Sequence, residues 1–262
     1  MKVIVYYYSS TGNTKLAVNY LKNHIRNAEI KLCNIATEEV ESPDEYDIVG
    51  FSSFTEYLGP PTLMKRFIGS LNPVSSKPAF VLNTYAGFNG STQIEFAKQV
   101  EARGYKVILG YSLKTPMNYP PMKRKGKHAE NAPSLIDIEE FNLFINKIDD
   151  TIIRIKNTED LKSIFGAFSL KKFIPSMSRS KVKKDFGIQQ ISKEQCVKCG
   201  NCVKVCAYQA IKMIPYPQVD HSKCNGCWAC YNQCPKQAIH TKSFKGDNQY
   251  KGPSQELINK LS

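Results

Sequence analysis

The sequence has no apolar run approaching the roughly 18–20 residues a helix needs to cross a bilayer, so no membrane span is expected. G-x-G-x-x-G occurs nowhere, and a direct nicotinamide site is not expected. No helix-turn-helix or other nucleic-acid reader is present, so DNA is not an expected partner. The start, Met1-Lys2-Val3-Ile4-Val5-Tyr6, has no small-residue cleavage site and reads directly as a strand, which makes a cytoplasmic location the expectation. Acidic residues are in short supply: 23 Asp and Glu face 36 Lys and Arg, for a net charge of +13. Such an excess calls for an anionic partner, whether nucleic acid, an anionic membrane surface or an acidic protein. The basic residues are not evenly spread. Leu161 to Lys184 holds seven and no acidic residue, and Lys123-Arg124-Lys125-Gly126-Lys127-His128 forms a second cluster in a Pro-rich loop.

What is present is enough chain, 262 residues with 42% hydrophobic content, for one medium core and a smaller satellite domain. Up to about residue 155 the pattern alternates strand and helix. Lys2–Tyr8, Glu29–Ile35, Tyr46–Phe51, Pro78–Thr84 and Tyr105–Leu113 read as strands. Helical faces repeat between them, at Leu16, Ala17, Tyr20, Leu21 and Ile25, at Leu63, Met64, Phe67, Ile68 and Leu71, over Ser91–Ala102, and from Ser134 to Ile155. Five strands alternating with helices predict an α/β fold, a doubly wound five-stranded parallel sheet. Ligands of such sheets bind beyond the carboxyl ends of the strands, which singles out Ser9–Thr14, Ser52–Pro61, Thr84–Ser91 and Thr115–Pro133.

Nine cysteines without a secretory signal are poor disulfide candidates. Cys33 stands in an apolar stretch and is expected to be a small buried hydrophobe. The other eight fall between Cys196 and Cys234 in two runs of C-x2-C-x2-C-x3-C. Cys196, Cys199, Cys202, Cys206, Ala210 and Ile211 recur 28 residues later as Cys224, Cys227, Cys230, Cys234, Ala238 and Ile239. Zinc prefers two separated pairs over two tight runs of four. In the bacterial ferredoxin pattern the fourth cysteine of each run serves the other cluster. One [4Fe–4S] cluster is therefore expected on Cys196, Cys199, Cys202 and Cys234, and a second on Cys224, Cys227, Cys230 and Cys206. Ala207 replaces the proline found at Pro235, a change that removes no ligand. The segment Ile191–Lys242 resembles the 2[4Fe–4S] bacterial ferredoxins, which implies low-potential, one-electron transfer.

After the first strand comes Ser9-Ser10-Thr11-Gly12-Asn13-Thr14. Hydroxyls, an amide and a glycine at a helix amino end can cradle a phosphate, because backbone N–H groups and the helix dipole both favour an anion there. This is not a Walker loop, since Gly-Lys-Ser/Thr is missing. Ser9, Thr11, Gly12, Asn13 and Thr14 match the S/T-x-T-G-x-T phosphate loop, and Met1–Ile155 resembles the flavodoxins. That resemblance implies FMN. It places the isoalloxazine ring between the loop Ser52–Gly59, with Ser53, Tyr57 and Gly59, and the loop Thr84–Gly90, with Thr84, Tyr85 and Gly87. Tyr57 and Tyr85 are then the residues placed to stack on the ring, and Gly59 the candidate for a backbone flip at the flavin. Two features depart from ordinary flavodoxins: the basic charge, and the long Thr115–Pro133 loop, which is placed to cap the flavin edge or bind a partner.

Together the parts resemble the flavodoxin–ferredoxin fusion proteins of anaerobes. The expected division is 1–156 flavodoxin-like, 157–187 basic linker, 188–242 ferredoxin module and 243–262 carboxy-terminal tail. The resemblance implies an electron carrier relaying between FMN, two [4Fe–4S] clusters and an acidic redox partner protein. The alternative is a flavin-dependent reductase of a small two-electron acceptor with the clusters as its wire. No acid, base or nucleophile constellation marks a catalytic residue.

Overall fold

In a computed structural model of the chain, residues 1–126, 129–157, 159, 161 and 176–262 are described. Lys127 and His128, and residues 158, 160 and 162–175 of the expected basic linker, lie outside the described residues.

Strands β1 (Lys2–Tyr7), β2 (Glu29–Asn34), β3 (Ile48–Phe54), β4 (Lys77–Tyr85) and β5 (Tyr105–Lys114) form one parallel sheet in the order β2-β1-β3-β4-β5. Helices α1 (Asn13–His24) and α5 (Leu135–Lys156) cover one face, and α2 (Thr62–Ser70) and α3 (Thr92–Glu101) the other. Successive strand side chains point to opposite faces. Hence Val3, Val5 and Tyr7 join the core under α1 and α5, while Ile4, Tyr6 and Tyr8 join the core under α2 and α3. Both faces are covered, which is why the strands read as continuous apolar runs. Truncating a buried side chain such as Phe51 would cost about 3–5 kcal/mol. Gly50 shows how tight the fit is: a Cβ there would stand 2.4 Å from the Phe80 ring. Cys33 is buried in the second core.

The long helix α5 starts at a capping box, with Ser134 Oγ accepting from Asp137 N and the Asp137 carboxylate accepting from Ser134 N. Between β5 and α5 the Thr115–Pro133 loop carries a short helix, α4 (Pro120–Lys123).

The ferredoxin module is a smaller unit with its own core, built on Cys202, Ile211, Trp228, Cys230, Tyr231, Cys234, Ala238 and Ile239. Two antiparallel pairs frame it, Gln190–Ile191 with Ile239–His240, and Ile211–Ile214 with Tyr216–Val219. The sequence repeat is also a backbone repeat. Left-handed residues fall at Lys198 (φ 56°) and Gly226 (φ 74°), at Gly200 (φ 75°) and Trp228 (φ 63°), and at Gln209 (φ 50°) and Gln237 (φ 52°). Ala210 N donates to Cys206 Sγ and Ala238 N to Cys234 Sγ, both at 3.2 Å.

The segment 243–262 is no free tail. It returns to the α/β domain and ends in a helix, Gln255–Lys260, capped by Ser254. Leu257 and Leu261, four residues apart on one face, bury themselves in the core beside α1 and α5. No helix among the described residues is long and apolar enough to cross a membrane.

Candidate functional site

The carboxyl ends of β3, β4 and β5 are tied by a polar network. Asn83 Nδ2 donates to Thr55 Oγ1 (3.1 Å) and Asn89 Oδ1 (2.8 Å), Asn89 Nδ2 donates to Ser112 Oγ (2.9 Å), and Ser112 Oγ returns to Asn83 Oδ1 (2.7 Å). The loops so fixed wall a cavity of about 490 Å³, inside the range of cofactor sites. Ser10, Asn13, Thr55–Leu58, Thr84–Phe88 and Pro116–Tyr119 are among the residues that line it.

Of the residues singled out by sequence, Asn13, Tyr57, Thr84, Tyr85 and Gly87 line this cavity. Thr14 is buried, with its Oγ1 2.8 Å from Thr84 Oγ1. Thr11 Oγ1 accepts from Asn118 Nδ2 (2.8 Å), and Ser9 Oγ accepts from Gly12 N (3.2 Å). Gly12, with φ 108°, is the N-cap of α1. Ser53 is fully buried, outside the cavity wall. Gly59 also lies outside the wall: its N–H and carbonyl pair with Glu56, and an added Cβ would meet Ser176 Cβ at 2.6 Å. The left-handed residues of that hairpin are Tyr57 and Leu58.

Tyr57 reaches through the wall. Its hydroxyl donates to Gly226 O in the ferredoxin module, and its ring meets Tyr119 edge-on at 5.6 Å. Tyr119 in turn makes edge contacts with Phe186 and Trp228. The Thr115–Pro133 loop therefore faces the chain's own second domain as well as the cavity. Asn232 Nδ2 donates to Asn118 O at 2.8 Å. The returning carboxy-terminal segment closes this junction: Tyr250 N donates to Asn232 Oδ1 (2.9 Å) and Tyr250 Oη to Asn13 Oδ1 (2.5 Å). Pro253 sits against Gly12.

Sequence reasoning missed Glu56, the acidic group of the junction. It lines the cavity, and its Oε2 accepts from Asn225 Nδ2 (2.8 Å) and Thr62 N (3.3 Å). Its Oε1 is buried with no hydrogen-bond partner among the described residues. Burial pushes the carboxyl up to about 7, while Thr62, Asn225 and Lys65 oppose the shift. Its one sequence signal is an acid inside the otherwise apolar and hydroxylated stretch Phe51–Leu58.

The eight cysteines gather in two sets of four. One hollow is lined by Cys196, Cys199, Cys202 and Cys234, the other by Cys206, Cys224, Cys227 and Cys230. No three His, Cys, Asp or Glu among the described residues converge closely enough to hold a single metal ion. Thiols placed around a hollow suit a polynuclear cluster better than one zinc. Burial pushes the Cys202 thiol up to about 11, with the other thiols of its set adding to the shift. Burial likewise pushes Cys224, Cys227 and Cys230 up. Iron binding must then displace protons. Cys227 lines the second hollow and the 490 Å³ cavity at once. The Arg179–Phe186 helix braces the approach to this set, with Arg179 donating to the carbonyls of His221, Ser222 and Cys224.

The sheet order β2-β1-β3-β4-β5 is that of the flavodoxin-like fold, and residues 195–238 match the 4Fe-4S dicluster domain. The chain thus joins a domain with the flavodoxin-like sheet order to a segment that matches a 4Fe-4S dicluster domain. Over 51 residues it is 39% identical to the pyruvate synthase subunit PorD of Methanocaldococcus jannaschii, a match covering 19% of this chain and 59% of that subunit. The corresponding subunit of Methanothermobacter marburgensis is 33% identical over 55 residues, 21% of this chain. The chain thus spans 59% and 65% of the length of these curated relatives. Among solved structures, an archaeal flavodoxin superposes with TM-score 0.45 at 21% identity, over 58% of this chain and 99% of its own. The Megasphaera elsdenii flavodoxin gives TM-score 0.40 at 20% identity, over 50% of this chain and 99% of its own.

Proposed function

We propose that the chain relays electrons between FMN, held in the 490 Å³ cavity, and two [4Fe–4S] clusters, held by the two cysteine sets. The observation that carries this reading is the double placement of Cys227, which lines both the second cysteine hollow and the 490 Å³ cavity. In this reading the amino end of α1, with Ser9, Thr11, Gly12, Asn13 and Thr14, receives the phosphate, and Ser10 joins it from the cavity wall. The loops holding Tyr57 and Tyr85 enclose the ring. Flavin exchanges electrons singly or in pairs, whereas each cubane carries one. A covalent tether raises the effective concentration of one centre at the other.

Anaerobic purification with iron, sulfide and flavin analysis tests the reading. About eight iron per chain, the content of two cubanes, together with stoichiometric FMN supports it. Four iron, or iron without flavin, contradicts it. The reductase alternative draws on the exposure of the cavity's lining, in which Phe88 is 60% exposed. Multiple turnover of a neutral quinone by the holoprotein would favour that alternative over a pure carrier.

A further inference from the structure

The two cysteine sets differ in what lies outside them. The inner set, with Cys227, abuts Tyr57, Glu56 and the flavin cavity through Gly226 and Asn225. The outer set opens toward solvent: Cys199 is exposed, and its neighbour Val197 is 57% exposed. The hairpin Ile211–Val219 stands beside this opening, with Pro217 in the wall of the outer hollow and Lys198 Nζ 4.1 Å from the Tyr216 ring centre. It leaves Met213 and Ile214 exposed. Lys198 and Lys236 line the outer hollow and Lys212 lies on the hairpin; with Lys193 and Lys204 of the same module they are all exposed, and none is in an ion pair among the described residues. From Phe186 to Val219 the one acidic residue is Glu194.

We infer that the outer end of this module, which exposes Val197, Met213 and Ile214 together with Lys193, Lys198, Lys204, Lys212 and Lys236, docks an acidic redox protein, so that electrons cross the chain's boundary at the outer cluster. The inference rests on the relay reading above and adds to it a port and a partner class. An apolar centre with a charged rim is the anatomy of a transient protein interface, and rim charges of one sign select a partner of the other. A membrane also favours apolar and basic groups together. An exposed cysteine in the wall of the outer hollow, however, serves a partner that exchanges electrons.

The test uses the anaerobically loaded full chain, reduced and mixed with rubredoxin, a small acidic iron protein, as probe. A neutral benzoquinone is the control acceptor. The wild-type rate to rubredoxin should fall steeply as salt rises, and the rate to the quinone should not. The variant Lys204→Glu/Lys212→Glu/Lys236→Glu, once shown to hold wild-type iron and flavin, should reduce rubredoxin about tenfold more slowly at low ionic strength. Lys22→Glu, an exposed change at the far end of α1, should alter the rate less than about twofold. A salt-independent wild-type rate, or equal effects of the two variants, overturns the proposal. It is also overturned if stripping FMN abolishes rubredoxin reduction by prereduced clusters, because electrons would then leave through the flavin. The same holds if the triple variant loses binding to anionic phosphatidylglycerol vesicles while its rate to rubredoxin is unchanged. Flavin–cluster equilibration, recorded without rubredoxin, reports on the internal relay separately, so a failed port and a failed relay give different results.

Discussion

The two halves of the ferredoxin module share cysteine spacing, left-handed backbone positions and sulfur–amide bonds, yet they sit in opposite environments. At the residue after the middle cysteine the outer half has Gly200, and the inner half has Trp228. A tryptophan in that left-handed conformation costs about 1–2 kcal/mol that glycine avoids. The cost is offset because the indole is buried against Tyr119, Tyr231 and Phe244 and so helps dock the module on the flavodoxin-like domain. Likewise Asn225 and Gly226 meet Glu56 and Tyr57, whereas the matching Val197 and Lys198 face solvent. The repeat fixes how each half holds its thiols. The residues that break the repeat decide which half faces the 490 Å³ cavity.

Single changes should separate the halves accordingly. The largest effect is expected from the ligands. Cys227→Ala should cost about half of the iron and abolish flavin-to-cluster transfer, while Cys199→Ala should cost similar iron and leave that transfer in place. Iron analysis with rapid-mixing spectroscopy distinguishes the two. Next, Trp228→Ala should destabilise the docked module by about 3–5 kcal/mol, read as a lower denaturant midpoint, and Gly200→Ala should act only through its strained backbone.

Glu56 gives the junction a pH dependence of its own. Its carboxyl is pushed up to about 7 from an ordinary 4.5, so the folded state binds this proton more tightly than the unfolded state. The associated stability is full below about 4.5 and is lost as pH rises through about 7. Glu56→Gln, which keeps an acceptor for Asn225, should flatten the fall between pH 5 and 8, a difference of up to about 3 kcal/mol in denaturation curves. The smallest effect is expected from Tyr250→Phe. Loss of the bond to Asn13 should weaken FMN binding by about 0.5–1.5 kcal/mol in flavin titrations, with iron content unchanged.

Much of this was legible in the sequence where the signal is periodic or local. The alternation of Val3, Val5 and Tyr7 with Ile4, Tyr6 and Tyr8 gives a strand covered on both faces, and the 28-residue cysteine repeat gives two matched thiol sets. The junction was not legible. Glu56, Asn225, Tyr250 and Pro253 act through contacts between residues up to 241 positions apart, and no local pattern marks such pairs. The carboxy-terminal return was missed because Leu257 and Leu261 supply only one turn of helical pattern.

The most direct test of the relay is a rapid reduction of the flavin in the loaded full chain, with cluster absorbance followed over a range of protein concentrations. The account predicts cluster reduction at a rate independent of concentration, because both centres lie on one chain across the Cys227 wall. A rate that scales with concentration, or clusters that stay oxidised beside a reduced flavin of lower potential, would contradict it.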